Sequence, residues 1–422
     1  MNGGDKPAAD ESRVEARIRR RLILFVHGFD PRGLAKPYEI LREELPKYAE
    51  RNKVEGTLGA VETPVPAEPW LKRWRVGLGE GSSAVETTFE FLGWQDLIPR
   101  YRPFRFLRLG LASIATFYIM LWKQVFQRLP RYGWSHFGFA AVPFLGVSLY
   151  IAAMAGAVGL GFALGSANGW QGAIVGTAAG VAVAAAIYAL TLWIEPTIYF
   201  WYLMALWTFQ RRQGSRHGIP ELEERFDRLA DHALRIAADP GFDEVLMVGV
   251  SHGGTCGIEI VGRMLERDPG LASLRGGKGG GLAFVTLGTQ PSMTAWFGPR
   301  PGFQRALRAI LASPAVAWFF YTLRGDIMAS DRYDPVADTP LDPAGLDPDK
   351  LVRYRINLKR MLGEEASRAL GWRFLPIHLQ YLMASPTGDE YDFLALTSAG
   401  RPFRLAANAW RQRALESRGC EG

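Results

Sequence analysis

Between residues 136 and 194 the chain carries no Asp, Glu, Lys or Arg. This stretch restricts the fold more than any other feature, because a soluble core helix rarely runs so far without a charged outer face. Residues 137–164 and 172–194 each exceed the roughly 20 apolar residues that cross a bilayer core. The segment between them, Gly165-Ser166-Ala167-Asn168-Gly169-Trp170-Gln171, is uncharged and rich in turn formers. The pattern predicts a membrane hairpin with spans at about 137–164 and 172–194. Small residues recur at every fourth position, as Gly172, Gly176 and Gly180 or Ala155 and Gly159, which lets helices approach closely in lipid.

Two shorter aromatic-rich segments, 109–122 and 196–209, flank the hairpin and fall below a comfortable span. They read either as interfacial helices or as parts of tilted spans, giving two or four crossings; a buried soluble helical subdomain is the remaining alternative. Lys123, Arg128 and Arg131 precede the hairpin, and Arg211, Arg212 and Arg216 follow it. Cations at both ends and none in the loop place the flanking portions on the cytoplasmic side of the membrane. The net charge of +7 suits an anionic membrane face. Zinc-ligand spacing and an aromatic-interleaved basic stripe are both missing from the sequence, so nucleic acid is not the expected partner. Of the two cysteines, Cys256 falls in an expected buried helix and Cys420 in a polar tail; no disulfide is expected, which fits a reducing compartment. The polar N-terminus does not read as a signal peptide, and residues 12–21 read as a short basic helix.

Outside the insertion the pattern is α/β. Residues 22–26, Leu-Ile-Leu-Phe-Val, form a continuous apolar run, as a strand buried on both faces requires. Further strands are expected at 74–76, 87–94, 244–250, 282–287, 319–323 and 352–357, with helices at about 37–51, 220–238 and 255–266. Alternation of this kind predicts a doubly wound, mostly parallel sheet with an inserted hydrophobic helical hairpin. The divisions are a flexible basic tail at 1–20, core at 21–103, membrane insertion at 104–210, core at 211–400 and a tail at 401–422.

The strongest chemical signal is Gly249-Val250-Ser251-His252-Gly253, a G-x-S-x-G run between an apolar strand and a helix. A serine on so sharp a turn needs neighbours without a Cβ, hence Gly249 and Gly253. It also sits at a helix N-terminus, where partial positive charge favours an oxyanion. Partners in such a site follow the serine in the order acid, then His. Of the six histidines only His252 and His378 lie beyond Ser251, and His252 is inside the turn, so His378 is the candidate base. Asp326 follows the strand that ends near Leu323 and is the first candidate to orient His378, with Asp334 and Asp331 competing. The N–H groups of His252 and Phe29 are the candidate oxyanion donors, and His27 is read as structural, bonding within its loop.

Phe25-Val26-His27-Gly28-Phe29, the serine turn, Asp326 and the late His378 together resemble the α/β-hydrolase superfamily, nearest its lipase and esterase branch. The resemblance covers about residues 20–100 and 215–400, and the insertion departs from it. It implies an α/β-hydrolase fold and an acyl-enzyme on Ser251 formed from a carboxylic ester, with neither cofactor nor metal expected; the hairpin, which would hold the site near a bilayer surface, points to a lipid or amphipathic ester. A hydrolase-like protein that only binds a partner, and an acyltransferase, are the alternatives. Gly77-Leu78-Gly79-Glu80-Gly81 lacks the Lys-Ser/Thr of a phosphate loop and reads as a turn. The glycines of 276–281 read as a flexible loop, and the acidic stretch 331–349 has no histidine at metal spacing.

Overall fold

The computed structural model describes residues 17–98, 106–272, 274, 281–298, 300–347, 349–388 and 390–419. At its centre is an eight-stranded, mostly parallel sheet in the order β2-β3-β4-β1-β5-β6-β7-β8. Strand β1 (Arg20–Val26) lies between β4 (Val85–Leu92) and β5 (Glu244–Val250), parallel to both. The parallel run continues through β6 (Leu282–Leu287), β7 (Val316–Leu323) and β8 (Leu351–Ile356). On the other side β3 (Leu71–Leu78) is antiparallel to β4, and the short edge strand β2 (Gly56–Leu58) completes the sheet.

After β1 comes α1 (Ala35–Asn52). The insertion after β4 holds α2 (Phe106–Trp122), α3 (Trp134–Ser166), α4 (Gly169–Ile198) and α5 (Phe200–Gln213). The chain returns through α6 (Pro220–Ala237), α7 (His252–Arg267) and α8 (Pro301–Ala312), and closes with α9 (Phe374–Leu379) and α10 (Phe403–Gly419).

Side-chain alternation along β1 sorts the core into two layers. Leu22, Leu24 and Val26 join the core under α6, α7 and α8, whereas Ile23 and Phe25 join the core under α1 and the C-terminal segment. Apolar residues on both faces are what cover by helices on both sides demands. The three-residue β2 is too short to show in a sequence pattern.

Two expectations at the chain ends change. Arg20 and Arg21 belong to β1, not to a basic helix over 12–21; residues 12–16 lie outside those described. Arg21 is fully buried. It donates to Glu244 at 2.7 Å and to the carbonyls of Thr397, Ala399 and Arg401 at 2.8–2.9 Å, clamping the C-terminal segment to the sheet. Within 401–422, read as a tail, α10 packs down: Phe403 meets Phe319 edge-on at 4.9 Å and Ala407 is buried. The glycine loop at 276–280 and Cys420 lie outside the described residues, and Cys256 is a buried free thiol in α7.

Two helices, α3 and α4, are long and apolar enough to cross a membrane, with a bent pair at 109–131 as a third candidate if it counts as one span. Glycines set the seam between them. A Cβ at Gly176 would overlap the Gly161 carbonyl, one at Gly165 the Gly172 carbonyl, and one at Gly180 would come 2.5 Å from the Ala157 carbonyl. Gly159 faces open space, so the Ala155–Gly159 spacing is not part of this contact. The buried residues of α3 all lie in its first half, ending at Tyr150. The apolar stretch 196–209 breaks at Tyr199, whose φ of 52° is left-handed. Its second part, α5, is packed inside the protein, with Trp201, Leu203, Met204, Trp207 and Phe209 buried.

Candidate active site

Sites in open α/β sheets form where neighbouring strands send their connections to opposite sides. Here β1 leads through α1 toward the β2–β4 side, and β5 leads through α7 toward β6. The crevice between the carboxyl ends of β1 and β5 therefore receives the loop 27–30 and Ser251.

Ser251 has φ 55° and ψ −132°, a conformation that costs a residue with a Cβ roughly 1–3 kcal/mol. Its N–H donates to the Leu287 carbonyl at 2.7 Å, and its carbonyl accepts from Gly254 N–H at 3.0 Å. The neighbouring glycines have specific reasons. A Cβ at Gly253 would overlap the Val26 carbonyl, one at Gly249 would come 2.5 Å from Gly254 Cα, and one at Gly28 would come 2.8 Å from Ser251 Cβ. The turn and the first loop thus touch directly.

Asp326 follows β7 and is buried. Its Oδ2 accepts from His378 Nδ1 at 2.8 Å and from Tyr381 Oη at 2.9 Å, while its Oδ1 accepts from Met328 N–H at 2.9 Å. Tyr381 Oη in turn accepts from Leu323 N–H at 2.6 Å, tying the carboxylate to the end of β7. With Nδ1 donating to Asp326, His378 holds its lone pair on Nε2. That atom is buried and has no hydrogen-bond partner among the described residues. The hydrogen bond from Ser251 Oγ to Nε2 is not made. His378 and Ser251 share the Gly288 turn: Gly288 lines the cavity at Ser251, and a Cβ on it would lie 2.9 Å from His378 Cε1. The competing acids are engaged elsewhere. Asp331 pairs with Arg355 at 2.6 Å, and Asp334 Oδ1 accepts from the N–H groups of Val336 and Ala337.

The candidate oxyanion donors flank the serine. No hydrogen bond occupies the N–H of Phe29 or of His252 among the described residues. The His252 ring is fixed away from Ser251: Nε2 donates to Gln213 Oε1 at 2.7 Å and Nδ1 accepts from Gln210 Nε2 at 3.3 Å. Burial lowers the His252 pKa to about 3, so the ring stays neutral. His27 is also held neutral, its pKa lowered to about 4, mainly by burial. It is structural, but not as expected. Its ring stacks on Phe25 and its Nδ1 has no partner among the described residues. The carbonyl does the bonding, accepting from Trp94 Nε1 at 3.0 Å and Gln95 Nε2 at 2.9 Å.

The insertion walls this site. Tyr202 of α5 donates to the Phe29 carbonyl at 2.7 Å, Gln210 and Gln213 hold His252, and His136 Nε2 donates to the Ala329 carbonyl at 2.8 Å in the loop that carries Asp326. The Tyr132 hydroxyl and the Arg131 guanidinium both meet Asp338 farther along that loop. Phe139, Leu206, Trp207 and Gln210 roof a cavity of about 20 Å³ above Ser251, with Gly288, Gln290 and Met328 on its other walls. That volume admits one water. Among the described residues no three His, Cys, Asp or Glu side chains converge as a metal site.

Tyr381, Gln210, Gln213 and Tyr202 escaped sequence reasoning. Tyr381 carries a weak signal, lying three residues after His378. The glutamines carry a better one, as a polar pair three apart at the end of an otherwise aromatic and apolar segment. No protein-family model, curated protein or solved structure matches the chain.

Proposed function

We propose that the protein is a membrane-seated serine hydrolase that cleaves a carboxylic ester of a lipid or amphipathic molecule. The reading rests on one observation above the others: His378, the sole histidine downstream of the serine turn, has Nδ1 bonded to a buried carboxylate and Nε2 free to accept a proton. Ser251 Oγ attacks the ester carbonyl while His378 Nε2 takes its proton. Asp326, bonded to Nδ1, holds the His378 tautomer and stabilises the imidazolium. The N–H groups of Phe29 and His252 receive the developing oxyanion. Collapse of the tetrahedral intermediate breaks the C–O bond, the alcohol leaves with the proton from His378, and water then releases the acid by the same steps in reverse roles.

The apolar roof supports a lipid-like substrate, since Phe139, Leu206 and Trp207 all come from the insertion. Because that roof leaves room for one water, the insertion must shift to admit an ester; catalytic hydrogen bonds also commonly tighten only once substrate is bound. The cations on both sides of the hairpin support a cytoplasmic position for the sheet. The unmade Ser251–His378 bond favours a second reading, a hydrolase-like protein that binds a partner without turnover. One experiment separates them: labelling of the full-length protein in membranes by a fluorophosphonate probe. Wild type should label and Ser251→Ala should not; an unlabelled, folded wild type, or equal labelling of both, overturns the enzymatic reading.

A further inference from the structure

The hairpin is not the chain's only exposed apolar surface. Helix α2 turns Ser113, Thr116 and Met120 into the protein, while Leu111, Tyr118 and Trp122 are 58%, 64% and 84% exposed. Those three exposed residues, with Ala115 between them, fall on one line of the helix. A water-facing helix would carry charge there. On the sheet side of the chain Trp372, just before α9, is 80% exposed. Two residues later Phe374 packs on Phe139 of α3 at 5.2 Å and on Tyr199 at 5.7 Å, so Trp372 stands beside the root of the hairpin.

We infer that the outer stripe of α2 and Trp372 form a second membrane-contact surface, seated in the headgroup and outer acyl region of the bilayer that the hairpin crosses. Continuity with the hairpin is the first reason. A Cβ on Gly110 would lie 3.8 Å from Ile151 and Phe117 meets Phe144 at 5.5 Å, so α2 runs antiparallel along the root of α3. Phe126, beyond the bend that follows Trp122, meets Phe137 at 5.9 Å, which keeps this end of the segment against the first turns of α3. The second reason is chemical. Tryptophan and tyrosine favour the membrane boundary, and both Trp122 and Trp372 are followed by a cation, Lys123 or Arg373, of the sign that anionic headgroups attract. The occupant is lipid, and the surface holds the carboxyl edge of the sheet against one leaflet. This depends on the hairpin spanning a bilayer and is independent of the hydrolase reading.

The test uses full-length protein with Cys420→Ser in nanodiscs of phosphatidylcholine and phosphatidylglycerol. A nitroxide is attached in turn to Trp372→Cys, Tyr118→Cys, Leu160→Cys on the hairpin, and Glu86→Cys at the opposite edge of the sheet. Each label's collision rates with oxygen and with a water-soluble nickel chelate are measured. The ratio of oxygen to nickel collisions at 372 and 118 should shift away from that at 86 and toward that at 160. Ratios at 372 and 118 equal to that at 86, with 160 in lipid, overturn the second surface alone. A water-like value at 160 overturns the spanning hairpin together with it.

Discussion

Replacing Asp326 by Asn tests the proposed mechanism most sharply. The wild-type carboxylate accepts from three donors, His378 Nδ1, Tyr381 Oη and Met328 N–H. An amide has one oxygen. If that oxygen stays on Met328, the amide NH₂ faces His378 Nδ1, which must surrender its proton and accept instead. The proton moves to Nε2, where it blocks transfer from Ser251. A tautomer lock of this kind costs roughly 10⁴ in rate, or about 5 kcal/mol of barrier. If the amide flips, His378 keeps its acceptor but the NH₂ meets Met328 N–H, leaving a buried donor unpaired at about 1–3 kcal/mol of stability. The assay is the rate of fluorophosphonate labelling of reconstituted protein, with folding checked by circular dichroism. Asp334→Asn is the control, since its carboxylate only caps a local turn. Labelling of folded Asp326→Asn within about tenfold of wild type, a loss of under about 1.4 kcal/mol, refutes the assigned role. So does an equal loss in Asp334→Asn.

Acid should weaken the fold as pH falls from about 6.5 toward 4. His252 and His27, lowered to about 3 and about 4, stay neutral when folded but take up protons near 6.5 when unfolded, so their contribution is complete above 6.5 and is lost below it. Between pH 7 and pH 5 each histidine accounts for a loss of roughly 2 kcal/mol, which denaturant unfolding at those two pH values should show, with less of it in His252→Asn. Arg21→Met removes the donor shared by Glu244 and three carbonyls and should lower stability by about 3–5 kcal/mol in equilibrium denaturation. A change below about 1 kcal/mol would place that clamp among ordinary surface pairs. Gly176→Val should lower the thermal aggregation temperature in detergent because its side chain overlaps the Gly161 carbonyl, whereas Gly159→Val, facing open space, should leave it unchanged.

The sheet was legible because central parallel strands need apolar residues on both faces, as in Leu22 to Val26 and Val245 to Val250. The hairpin was legible from missing charge. His378 and Asp326 emerged from chain order and strand ends, and the structure brings them within hydrogen-bond distance. What sequence could not supply was the third dimension of the insertion. Residues 196–209 are as apolar as a lipid-facing segment, and only packing reveals that α5 lies against the sheet. Arg21 looks like a surface charge until three carbonyls from the far end of the chain converge on it. Tyr381 follows the same logic, its partners Asp326 and Leu323 lying more than 50 residues upstream.

Tyr202, Gln210, Gln213 and His136 make the hydrophobic insertion inseparable from the chemistry proposed for the sheet. Cutting out residues 104–210 and rejoining the ends would not yield a water-soluble version of the same protein. Phe29 and Ala329 would lose the donors on their carbonyls, and the His252 ring would lose Gln210. Any soluble redesign has to keep α5 and the base of α3 and recolour only the bare outer half of the hairpin.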